Sequence, residues 1–219
     1  MITYIHRWFS KPLARHLREP DGLFGRLTAR MMNATNAIMT TTAIDALDIS
    51  PNHLILDVGF GGGDSLDQCL SRAPDGHISG TEISASMLRR AGKIYRRFIS
   101  HGRLSLHEGT IEALPFGDNQ FDRISTLNTI YFWSDPKQGV GEMYRVCKPN
   151  GKTIIAFRPR HVMQQMKFSQ HGFTLFQSDE VMHLLREAGF IDITEHYYET
   201  DNLGFICLSA SKGGETPPQ

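Results

Sequence analysis

Cysteine is scarce. The chain of 219 residues holds three, Cys69, Cys147 and Cys207, far apart and odd in number. They form no C-x-x-C pair and no disulfide framework, which excludes a disulfide-stapled scaffold and points to a reducing compartment. A charge excess is missing too: 23 basic side chains face 23 acidic ones. Balance removes the simplest argument for a nucleic-acid partner, since such domains usually carry a large positive excess. Nowhere do about 18 apolar residues run together, so no spanning helix is expected. Residues Met1 to Phe9 are interrupted by His6 and Arg7 and do not resemble a signal peptide. The expectation is a cytoplasmic protein. Ordinary hydrophobic (40%) and charged (21%) fractions exclude a disordered or fibrous chain.

Three zones are legible. Residues 1–50 read as helices, punctuated early by Pro12, Pro20 and Gly22 and then free of proline from Leu23 to Leu47. Ser50-Pro51-Asn52 is a turn. From His53 onward, short apolar runs alternate with amphipathic stretches, the pattern of repeated strand–helix units around a parallel sheet. Strands are expected at Leu54–Val58, His77–Thr81, Leu104–His107, Phe121–Thr126 and Thr153–Phe157. A late helix ends near Ala188-Gly189, where glycine supplies a C-cap. Ile191–Tyr198 and Gly204–Ala210 then pair as an antiparallel hairpin. The resulting expectation is an α/β fold: a Rossmann-like doubly wound, mostly parallel sheet over 51–211, with a helical segment before it and a disordered tail at 212–219.

The most informative segment is Leu54-Ile55-Leu56-Asp57-Val58-Gly59-Phe60-Gly61-Gly62-Gly63-Asp64. A buried strand ends in an acid, then glycines, then a helix beginning near Asp64 or Ser65. Glycines let the backbone turn sharply and approach a ligand without a Cβ in the way. Open α/β sheets bind ligands at the carboxyl ends of their strands. Read blandly, this is a tight strand-to-helix turn. Glu82 tilts the balance, since it follows the next strand 25 residues after Asp57, where an acid accepts hydrogen bonds from ribose hydroxyls. A dinucleotide loop would need glycine at Asp64, and a carboxylate beside the loop would repel a pyrophosphate. The G-x-x-x-x-G-K-[ST] phosphate loop is absent as well. Asp57 suits a ligand with an ammonium group, and S-adenosylmethionine combines ribose, adenine and an amino-acid end without phosphate.

On these residues the sequence resembles the class I S-adenosylmethionine-dependent methyltransferases, and within them the small-molecule branch that includes ubiquinone- and menaquinone-type enzymes. Asp57-Val58-Gly59-Phe60-Gly61-Gly62-Gly63 is similar to the family's D/E-x-G-x-G-x-G loop around the methionine part, and Glu82 to its ribose acid. Gly109-Thr110-Ile111-Glu112-Ala113-Leu114-Pro115-Phe116 is similar to a segment that usually reads G-D-A-x-x-L-P-F. Phe121-Asp122-Arg123-Ile124 and Glu142 to Gly151 match the fourth strand and the helix and turn before the fifth. The resemblance implies a seven-stranded sheet, residues 1–50 as a lid, and cofactor contacts from Asp57, Gly59, Phe60, Gly61, Gly63, Glu82, Ile83, Thr110, Ile111 and Asn128. Thr110 departs from the family's aspartate, which meets the adenine amino group, so that contact is weaker or made through water. No metal is expected.

Methyl transfer is an in-line displacement in which the protein aligns the nucleophile, excludes water and, if needed, takes a proton. The resemblance places Asn128 beside the donor, and Tyr131, Phe132 and Trp133 toward a small-molecule acceptor; alternatively these aromatics anchor the core. Asn33 and Asn36 reach the methionine end or stay solvated. His161 and His171, in the segment Arg160 to Phe176, are candidate general bases for a hydroxyl or thiol, and are otherwise structural or solvated. Gly63-Asp64-Ser65-Leu66 spells a GDSL hydrolase signature, but Asp179 and His183 are four apart where that reading needs three. Asn128-Thr129-Ile130-Tyr131 lacks both prolines of an N-P-P-Y motif, and Arg89, Arg90, Lys93, Arg96, Arg97 and Arg103 read as a solvated basic helix face. No nucleic-acid partner is expected. The first 30 residues hold six basic and two acidic side chains, net +4, and are a lid, a peripheral membrane contact or a dimer contact.

Overall fold

The computed structural model describes residues 36–166, 173–199 and 204–214. Helix α1 covers residues 36–46 and leads through the turn at Pro51 into β1 (Leu54–Val58). There follow α2 (Asp64–Arg72), β2 (His77–Glu82), α3 (Ala85–Ile94), α4 (Arg96–Ser100), β3 (Leu104–Glu108) and β4 (Phe121–Leu127). A 3₁₀ turn at Ile130–Phe132 precedes α5 (Pro136–Val146), β5 (Cys147–Phe157) and the short α6 (Arg160–Met163). Finally come α7 (Ser178–Ala188), β6 (Phe190–Tyr198) and β7 (Phe205–Lys212).

The seven strands form one sheet in the order β3-β2-β1-β4-β5-β7-β6. The pairs among β1 to β5 are parallel, and β7 runs antiparallel to both β5 and β6. The five expected strands are present, β5 beginning six residues earlier than the sequence suggests, and the expected hairpin is β6–β7. Local chemistry explains the helix ends. Asp135 caps α5 by accepting from Gln138 N at 3.0 Å, with Pro136 in the first turn. Gly189, at φ 102°, closes α7 as its sequence position indicates.

Each face of the sheet carries its own core. On one side Leu56, Ile124, Ile155 and Phe157 pack with Val140 and Met143 of α5 and Val181 and Leu185 of α7. On the other, Ile55, Ile78, Ile154 and Ala156 pack with Met39, Ala43 and Ile44 of α1 and Leu66 and Cys69 of α2. Burial on both faces is why these strands read as continuous apolar runs. All three cysteines are buried and free. No helix among the described residues is long and apolar enough to cross a membrane.

Candidate active site

The strand order runs outward from β1 in both directions, so the carboxyl ends of β1 and β4 flank a topological switch point, where such sheets leave a crevice. A cavity of about 150 Å³ opens there. Its walls come from Gly59, Gly61 and Gly62 after β1, Thr81, Glu82 and Ile83 at the end of β2, and Gly109 to Glu112 after β3. Leu127, Asn128 and Thr129 after β4 and the run Phe132 to Ser134 complete them.

The glycines shape the floor. Gly59 turns with φ 74°, and a Cβ there would lie 2.5 Å from Thr129 Cγ2. Its N–H donates to Thr81 O at 2.7 Å, tying the loop to β2. Gly63, at φ 98°, caps α2, and its carbonyl accepts from Tyr95 Oη at 2.8 Å. A side chain at either position would meet both the left-handed backbone and a neighbour.

Glu82 is 6% exposed. Oε2 accepts the Gly61 N–H at 3.0 Å and Oε1 accepts the Ser84 N–H at 2.9 Å. Burial raises its pKa, partly offset by these backbone donors. A carboxylate offers about four lone-pair sites, so Glu82 keeps accepting capacity toward the cavity it lines. Glu112, also on the wall, takes Ser134 N and Oγ on Oε1. Burial pushes its carboxyl up, but hydrogen bonds from its own backbone, Ser134 and Asp135 outweigh that and hold it low. Thr81, on the same wall, has a buried hydroxyl without a hydrogen-bond partner. Among the described residues no Lys or Arg lines the cavity. The donor set therefore fits a phosphate-free ligand with hydroxyls and positive charge, as S-adenosylmethionine is, and does not fit a pyrophosphate.

Of the residues singled out in the sequence, Gly59, Gly61, Glu82, Ile83, Thr110, Ile111 and Asn128 share this one cavity. Asp57, Phe60 and Gly63 stand behind it. Asp57 is 1% exposed and accepts from Ser65 Oγ on Oδ2 and from Ser125 Oγ, at 2.8 Å, on Oδ1. It joins β1, α2 and β4 beneath the glycine loop and is absent from the cavity wall. Burial pushes its pKa up to about 6, with the two hydroxyls opposing and the Glu82 charge adding to the rise. Ser65 of the GDSL sequence is thus a buried donor to Asp57. The Phe60 ring packs in the α1–α2 core.

Tyr131 is buried. Its hydroxyl accepts the Arg158 N–H at 2.5 Å and faces Arg158 O at 3.2 Å and Asn128 Oδ1 at 3.3 Å. Burial raises its pKa against the opposing Arg158 amide and charge. The phenol's bonds are thereby made within the fold, beside Asn128 and off the cavity wall. Asn36 Oδ1 accepts from Arg158 Nη1 at 2.7 Å. His161 is exposed on α6, its ring 6.4 Å from that of Tyr197. His171 and Asn33 lie outside the described residues. Sequence reasoning does not single out Glu112 or Ser134; the one available signal is that Glu112 directly follows Ile111.

The known proteins that this chain is similar to agree with that geometry. The methyltransferase domain family matches residues 56–155. An uncharacterized methyltransferase, YdaC, of Bacillus subtilis is 30% identical over 182 residues, which is 83% of this chain and 96% of that protein. The ubiquinone/menaquinone biosynthesis C-methyltransferase UbiE of Geotalea daltonii is 32% identical over 136 residues, 62% of this chain and 54% of that one. A solved S-adenosylmethionine-dependent methyltransferase of Aquifex aeolicus superposes with a TM-score of 0.68 at 16% identity, covering 85% of this chain and 97% of that one. The chain belongs to the class I S-adenosylmethionine-dependent methyltransferases.

Proposed function

We propose that the enzyme moves the methyl group of S-adenosylmethionine to a small acceptor with an apolar or aromatic body. The observation that carries this reading is the cavity wall itself: a buried carboxylate, Glu82, joined to the glycine loop, with no Lys or Arg on the wall among the described residues. The cofactor supplies a methyl carbon already activated by the sulfonium. Glu82 accepts the ribose hydroxyls, Gly59 and Gly61 let the amino-acid part lie against bare backbone, and Ile83, Thr110 and Ile111 bracket the adenine. Asp57 holds that loop from beneath. Asn128 lies toward the donor and Phe132 and Trp133 toward the acceptor, where aromatic faces favour a sulfonium and exclude water.

In this reading residues 51–211 hold the cofactor, no metal takes part and the enzyme works in the cytoplasm; of the expected lid, residues 1–35 lie outside the described residues and α1 packs in the core of the sheet. Where the acceptor needs deprotonation, His171 or His161 takes the proton, and Tyr131 orients Asn128. A panel of quinols, phenols, thiols and amines, read by formation of S-adenosylhomocysteine, tests the reading. Turnover is expected for at least one aromatic acceptor and should fall in Glu82→Gln. Replacement of His161 and His171 by Gln with turnover unchanged would remove both as bases.

A further inference from the structure

Beyond β4, one strand further along the sheet than the cavity wall, lies Arg158. It follows Phe157, the last residue of β5, and is 7% exposed. Strand alternation turns it to the side of Ile154 and Ala156, toward α1, where Nη1 donates to Asn36 Oδ1 at 2.7 Å. That partner is a neutral amide oxygen, which orients the guanidinium without neutralising it. Nε is buried and has no hydrogen-bond partner. Among the described residues no Asp or Glu forms an ion pair with it. Arg72, Arg145 and Arg160, by contrast, each carry a carboxylate partner.

A buried cation with no carboxylate beside it among the described residues is costly, and an arginine keeps its proton even where burial opposes charge, as it does here. The backbone carrying this charge is fixed as well. The Arg158 N–H donates to Tyr131 Oη, and the Tyr131 hydroxyl reaches Asn128 Oδ1 on the cavity wall. Asn128 N in turn donates to Ala156 O at 2.8 Å, so the cavity and the end of β5 are joined by direct hydrogen bonds. With Nη1 engaged, the Nε–Nη2 edge is left, which is the fork that receives a carboxylate or phosphate with two parallel hydrogen bonds.

We propose that Arg158 is an oxyanion subsite for the methyl acceptor: the acceptor carries a carboxylate or phosphate that seats on the Nε–Nη2 edge while its apolar or aromatic body lies toward Phe132 and Trp133. This rests on the methyltransferase reading above. The acceptor is favoured over the cofactor's own carboxylate because the cavity wall is built from the ends of β1, β2, β3 and β4, with nothing from β5.

The test uses the full chain loaded with S-adenosylhomocysteine, with 4-hydroxybenzoate and phenyl phosphate as anionic probes and phenol as the neutral control. The Arg158 Nε–Hε resonance, assigned by its absence in Arg158→Gln, is followed by ¹⁵N NMR, and affinities by calorimetry. The anionic probes are expected to shift that resonance saturably and phenol is not. Arg158→Gln is expected to weaken the anionic probes about 10- to 150-fold, the range for one charged hydrogen-bonding partner, with S-adenosylhomocysteine affinity unchanged. Arg158→Lys, which keeps the charge and loses the fork, should restore part of the binding. Because no carboxylate among the described residues pairs with the replaced charge, ligand-free Arg158→Gln should not melt below wild type; a lower melting temperature with probe binding intact would mark a packing role and overturn the proposal. So would a resonance that moves with S-adenosylhomocysteine but not with 5′-methylthioadenosine, which lacks the amino-acid end, or a loaded wild type that binds neither anion. Wild type that fails to bind S-adenosylhomocysteine at all would instead sink the methyltransferase-site reading, and this proposal with it.

Discussion

Glu82 Oε2 receives the backbone N–H of Gly61 at 3.0 Å, so the acid at the end of β2 and the glycine loop at the end of β1 are one construction. The same carboxylate receives Ser84 N on its other oxygen, and Ser84 caps α3. Glu82→Gln replaces one acceptor oxygen by an NH₂ that faces a backbone donor. The variant is expected to lose about 1–3 kcal/mol of stability in urea unfolding and at least about tenfold in S-adenosylhomocysteine affinity by calorimetry.

Acid should weaken cofactor binding. Burial raises the Glu82 pKa above the ordinary 4.5, and the ionised form is the one that accepts hydroxyl protons. Affinity is therefore expected to be full at neutral pH and to fall as pH drops through that raised value. A titration series in which Glu82→Gln shows no such fall assigns it to this residue.

Asp57 gives a stability signature of opposite sign. Its folded pKa of about 6 lies above the ordinary 3.8, so the folded chain keeps a proton that the unfolded chain has released. This group's contribution is fully present below pH 3.8, fades as pH rises, and is lost above about 6. Asp57→Asn removes the titration while keeping partners for the hydroxyls of Ser65 and Ser125. It is expected to gain up to about 3 kcal/mol at pH 7 and to flatten the profile between the two values, as measured by urea midpoints across pH.

The close approach of Gly59 to Thr129 predicts a rescue. Gly59→Ala adds a Cβ 2.5 Å from Thr129 Cγ2 at a residue with φ 74°. It should destabilise by about 1–3 kcal/mol. Thr129→Ser removes Cγ2 and keeps the hydroxyl that receives Trp133 Nε1 at 3.1 Å. The double variant should recover the steric part and not the backbone strain, a coupling that a double-mutant cycle measures.

Tyr131→Phe strips the acceptor from the buried Arg158 N–H. An unmatched buried donor costs about 1–3 kcal/mol, and the loss should appear as a lower melting temperature with the secondary structure unchanged.

The centre of the sheet was legible because β1, β2 and the end of β5 are buried on both faces. Leu54–Val58 needs no alternation to be read, and the Gly59–Gly63 run announces the turn after it. The cavity wall was legible for a related reason: its parts are local in sequence. A loop, an acid after the next strand and the Thr110-Ile111 pair each follow a strand end, and the topology brings those ends together. Side-chain direction was less accessible. Asp57 reads as a ligand-facing acid until β4 supplies Ser125, 68 residues away, as its partner. Tyr131 reads as an acceptor-facing aromatic until Arg158 claims its hydroxyl. Arg158 itself carries no sequence signal, since its isolation depends on which residues are not near it.

Calorimetric titration of the wild type and Glu82→Ala with S-adenosylhomocysteine tests the central claim most directly. Saturable one-to-one binding is expected of the wild type, with a loss of at least about tenfold in a folded Glu82→Ala. A folded wild type that does not bind, or a Glu82→Ala that binds equally well, would contradict it.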